Sequence, residues 1–155
     1  MTHDDHVAEH LRQATHMTTS GRLRWLRAVI LLGVVYLVAG ITFAPLANRA
    51  ASNQMRVAWR LAAWVISAAA FAAHIAYEHV RQRNSPGTTA LHASLAVALG
   101  AFALAVAANV HAQAASSHPH SRALALVIWP VVTALPAFGV ALASAAALAR
   151  ARRSA

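Results

Sequence analysis

From Ala123 to Ala149 the chain carries no charged side chain, and three earlier stretches, at about 28–47, 57–78 and 89–110, are nearly as apolar. About twenty consecutive apolar residues span a bilayer as an α-helix, and a soluble core rarely uses four such runs in 155 residues. The runs are continuously apolar, without the residue-by-residue alternation of an outer-membrane strand, and alanine and leucine dominate them. The expected fold is therefore all-α: an integral membrane protein built as a bundle of four transmembrane helices. A polar tail (1–24) leads into it and a basic tail (150–155) follows. The polar lead is long for the n-region of a signal peptide and the first run exceeds an h-region, so that run reads as an uncleaved span.

Composition agrees. Hydrophobic residues make up 59% and charged residues 11%, mean hydropathy is +0.50, and the absence of cysteine removes any disulfide framework or cysteine-based zinc site. The net charge of +9 would suggest nucleic acid in a soluble domain. Here all 13 basic residues are arginine, scattered at the ends of the apolar runs with no aromatic platform beside them, so no nucleic-acid partner is expected.

The arginines instead give an orientation. With both termini cytoplasmic, that side holds Arg12, Arg22, Arg24, Arg27, Arg81, Arg83, Arg150, Arg152 and Arg153, against Arg49, Arg56, Arg60 and Arg122 outside. This follows the positive-inside rule for an inner-membrane protein. Pro130 and Pro136 lie inside the longest run and predict a bend there. Small residues four apart, Ala96 with Gly100, Ala103 with Ala107 and Gly139 with Ala143, predict close helix packing, part of it toward a second subunit.

The second span carries the chemistry. At 100° per residue, Arg60, Ser67, His74, Glu78 and Arg81 fall in one stripe, while Leu61, Val65, Ile75 and Val80 point away. Glu78 is the one acidic residue outside the tail that holds Asp4, Asp5 and Glu9. His74 lies one turn before it, and His92 enters the third span from the same membrane surface. The set His74, Glu78 and His92 is thus the candidate site, supported by Arg60, Ser67, Tyr77 and Arg81.

Three chemistries fit that set. A divalent metal would take two imidazoles and a carboxylate with an open position. A b-haem would take His74 and His92 as axial ligands, although adjacent helices pack too closely to admit a porphyrin without splaying. The structural reading pairs Glu78 with Arg81 or another arginine and satisfies the histidines with backbone carbonyls or Tyr77. The segment HIAYEH, with His74 and His79, resembles a single histidine box of the membrane di-iron hydroxylases. Its companion boxes are missing, since His111, His118 and His120 fall at the other membrane surface. His3, His6 and His10 in the tail form a weak metal candidate of their own, and His118–Pro119–His120 reads as a turn.

No nucleophile and base pairing, phosphate loop or glycine fingerprint marks an enzyme. No acid lies near a bilayer midplane as in coupled transporters, including the four-span small multidrug transporters with their first-span glutamate. The reading is a small polytopic inner-membrane protein without enzymatic activity, an accessory or structural subunit or homo-oligomer acting through helix contacts. The alternatives are a haem- or metal-binding redox protein using His74 and His92, and an oligomeric channel lined by the second span.

Overall fold

The computed structural model describes residues 3–112 and 119–154, with side chains for 23–110 and 124–154. It is entirely helical over those residues. Helix α1 runs His3–Asn48, α2 Asn53–Tyr77, α3 Pro86–Ala112 and α4 Pro119–Ser154, with a π-helical turn, Glu78–Gln82, prolonging α2. Each helix contains a segment long and apolar enough to cross a membrane: Leu23–Asn48, Asn53–Gln82, Pro86–Val110 and Leu124–Ser154. Large apolar side chains such as Trp64 (77% exposed) and Leu135 (68%) cover the outside, the inverse of a soluble bundle and the pattern that lipid requires.

The helix ends explain the boundaries. Ser52 caps α2, its hydroxyl accepting from the Met55 N–H at 3.1 Å. Ser85 does the same for α3, accepting from the Thr88 N–H at 3.2 Å, and Pro86 occupies the first helical position, where no N–H is needed. Pro119 likewise opens α4, so Pro119 and His120 are helical rather than the turn that the sequence suggests; His118 lies outside the described residues. Pro130 and Pro136 do not break α4, which runs uninterrupted, and the Thr133 hydroxyl between them donates to the Trp129 carbonyl at 2.9 Å.

The polar tail also departs from expectation: from His3 its backbone continues α1 without a break.

Packing is centred on α3, which lies parallel to α1 on one side and antiparallel to α4 on the other, while α2 rests mainly on α1. Consecutive helices α2 and α3, expected as neighbours, share little surface. Contacts between α1 and α3 advance in step: Trp25 with His92, Val29 and Leu32 with Ala96, Gly33 with Gly100, Gly40 with Leu104. Glycines set that approach. A Cβ on Gly100 would stand 2.6 Å from the Tyr36 Cβ and 3.2 Å from the Gly33 carbonyl, and one on Gly33 would stand 2.9 Å from Leu99. Because lipid tails are as apolar as leucine, such close backbone contact and its dispersion gain must replace the hydrophobic effect.

At the end of the bundle where α3 begins, Ile75 of α2, Ala90 and Ala93 of α3, and Ala141 and Ala145 of α4 form a second buried cluster. Ile75, expected to face lipid, is only 2% exposed. Two helices converge on α2 at this end, so its buried face is wider than a single stripe. Leu61, Val65 and Val80 do face outward.

The glycine crossing makes a stability prediction. Gly100→Ala is expected to cost about 1–3 kcal/mol through overpacking. Gly87→Ala, where an added Cβ meets nothing within 4 Å, should be neutral or stabilising by up to about 1 kcal/mol. Thermal melting of both variants in detergent distinguishes them.

Candidate functional site

Glu78 is wholly buried at the junction of α2 and its π-helical turn. A carboxylate there requires donors, and it has them from two other elements. A carboxylate only accepts, so His92 donates from Nδ1, at 2.8 Å to Oε1 and 3.1 Å to Oε2. Asn84, in the short connection to α3, donates from Nδ2 to Oε2 at 3.0 Å and to the Gln82 Oε1 at 3.2 Å. His74 Nε2 approaches Oε1 to 3.5 Å without a hydrogen bond. From α1, the Trp25 indole stacks on the His92 imidazole, with centroids 4.8 Å apart and planes 3° from parallel. His92 is therefore fixed on one edge by a carboxylate and on one face by an aromatic ring, with its Nε2 left available.

The π-helical turn shapes what lies above. With i→i+5 bonding the turn widens, and it buries Glu78 and His79 together while Arg81 stays exposed. It ends at Arg83, the one non-glycine residue with positive φ (52°), in the left-handed region where a Cβ is unfavourable. Arg24, Trp25, Tyr77, Arg81, Gln82, Asn84 and His92 surround a cavity of about 710 Å³ at this end of the bundle. It sits where the segments beginning at Leu23 and Pro86 and ending at Gln82 reach the edge of the apolar zone.

The structure thus brings His74, Glu78 and His92 together and separates their supposed supports. Arg81 does not pair with Glu78, and neither histidine bonds to Tyr77, which is half exposed on the cavity wall. Arg60 is exposed near the opposite end, beside a small cavity with Asn48 and Trp64. Ser67 lines an apolar cleft of about 530 Å³ formed by all four helices, among them Tyr36, Phe71, Leu104 and Val140. Side chains of His3, His6, His10, His111, His118 and His120 lie outside the described ones.

The geometry also bears on cofactors. Glu78 Oε1 is within 3.5 Å of His74 Nε2 and 2.8 Å of His92 Nδ1. Both imidazoles point at one carboxylate oxygen, which takes the place that an iron between two axial ligands would need. No group of three or more His, Asp or Glu side chains among the described residues is arranged to hold a metal ion.

Residues that sequence inspection missed are Trp25, Arg24, Gln82 and Asn84. Trp25 and Arg24 carried one usable signal, a tryptophan and an arginine at the mouth of a span, on the same membrane surface as Glu78. Asn84 carried none.

Comparison with known proteins leaves the site to be read on its own terms: no protein-family model, curated protein or solved structure matches this chain.

Removing His92 leaves a buried carboxylate held by Asn84 alone. His92→Ala is expected to cost about 3–5 kcal/mol. Adding Glu78→Met, which removes the stranded charge at similar volume, should recover much of that loss. A double-mutant cycle by chemical unfolding in detergent measures the coupling; additive single costs would show that the pair is not coupled.

Proposed function

We propose that the chain is a non-enzymatic accessory or structural protein of the inner membrane, acting through helix contacts made by the outer face of α4. The observation that carries this reading is the environment of Gly139. Gly33, Gly40 and Gly100 each have another helix where a Cβ would stand, whereas Gly139 has nothing within 4 Å. Gly139 and Ala143 are exposed on the same face, four residues apart, flanked by the exposed Leu135 and Leu142. A small-residue step of this kind lets a second helix approach closely, and α4 contributes little of its surface to the bundle's interior. The occupant is a helix of a second copy or of a partner subunit.

The arginine distribution supports a cytoplasmic location for both termini and, with them, for the Glu78 end. A redox reading through His74 and His92 has less support, because Glu78 occupies the space between their ring nitrogens. Conduction along the second span has less as well, since Ser67 sits among apolar neighbours in a cleft lined by Phe71 and Val140.

The chain has no cysteine, so one engineered thiol is unique. Ala143→Cys in native membranes is expected to give a cross-linked species, either a dimer or an adduct with one partner. Val65→Cys, on the lipid face of α2, should give none. Gly139→Leu should abolish the product without changing the melting temperature, because no internal neighbour is displaced. Absence of any cross-link at Ala143→Cys rejects the reading. A reporter fused to the C-terminus should report the cytoplasm.

A further inference from the structure

We infer that the cavity beside His92 is a binding site for an anionic phosphate group at the membrane boundary. This goes beyond the helix-contact reading and does not depend on it. Two guanidinium groups, Arg24 from α1 and Arg81 from the π-helical turn, line one cavity. No acidic side chain lines it with them, and neither arginine has an ion-pair partner among the described residues. The nearest acid, Glu78, has no exposed surface and is already engaged by His92 and Asn84. Two like charges sharing a partly enclosed space repel each other, and an anion between them reverses the sign of that interaction. Planar guanidinium forks match phosphate oxygens in pairs, which makes arginine well suited to this task.

The remaining walls supply donors. With Nδ1 committed to Glu78, His92 presents the other edge of its ring to the cavity. Gln82, its Oε1 held by Asn84, has an Nε2 with no hydrogen-bond partner. Trp25 and Tyr77 add rings with polar edges at the depth where such side chains meet lipid headgroups. The volume of about 710 Å³ exceeds what a bare phosphate fills and suits a phosphate ester with its polar substituent. Such an ester reaches this place from the bilayer, as an anionic phospholipid headgroup, or from water, as a soluble phosphate ester.

The test uses the full chain. In one arm, native mass spectrometry counts phosphatidylglycerol and phosphatidylcholine retained by the detergent-solubilised protein. One phosphatidylglycerol should be held in preference, and Arg24→Gln with Arg81→Gln should weaken it about tenfold or more. Arg150→Gln, Arg152→Gln and Arg153→Gln together remove more charge from the C-terminal end of α4, outside the cavity, and should change retention less than twofold. Should the double variant unfold, Arg81→Glu alone repeats the comparison at one exposed position. In the other arm, calorimetric titration of glycerol 3-phosphate into phosphatidylcholine nanodiscs asks whether a soluble ester binds. Binding lost with Arg24 and Arg81 in this arm assigns the site to a soluble ester; binding in the first arm alone assigns it to lipid. Undiminished retention by the double variant, an equal loss in the triple variant, or no binding in either arm overturns the inference.

Discussion

The close parallel passage of α1 along α3 is the contact on which the other arrangements depend. Inside a bilayer the apolar surface of a helix gains nothing by leaving lipid, so two helices stay together only where their shapes allow backbones to approach. Gly33 and Gly40 on one helix and Gly100 on the other provide that shape. The register so fixed brings Trp25 over the face of His92, and His92, held there, reaches the carboxylate that α2 delivers from the opposite direction. The buried acid is therefore satisfied by a crossing centred two turns deeper in the membrane.

Polar chemistry is confined to one end for a related reason. Towards the middle of the bundle the walls between helices are built from alanine, leucine, valine and phenylalanine, and the one cleft there has an almost wholly apolar lining. Where α2 ends and α3 begins, three helices and a loop meet, and that convergence can supply enough donors for a full carboxylate. Asn84 belongs to this loop, and its single amide group serves both Glu78 and Gln82.

Much of this was legible before any coordinates. Four apolar runs with arginines at their margins fix the number of spans, because the cost of charge in hydrocarbon leaves few alternatives. The meeting of His74, Glu78 and His92 followed from helical spacing and from the depth of two residues below one surface. Helix adjacency was not legible. In lipid the four runs are nearly equivalent, and only the glycine positions decide that α3 lies beside α1 and α4 rather than along α2. Nor was the partner of Glu78: opposite charge suggested Arg81, but Arg81 can stay hydrated at the boundary while the buried histidine and amide cannot. Ile75 was misplaced because a single 100° projection assumes one packed face along the whole helix, whereas α2 meets different neighbours at its two ends.

The π-helical turn at Glu78–Gln82 has a consequence for how this protein tolerates change in length. A π turn is equivalent to an α-helix that has accommodated one additional residue. Loss of a single residue there would return the segment to regular helix and rotate everything after it by roughly 100° relative to Glu78. The buried acid would stay in place while Arg81 and Gln82 swung off the cavity wall. The boundary cavity is thus written in the residue count of this segment as much as in the identity of its side chains, and insertions or deletions here are a more severe perturbation than most substitutions.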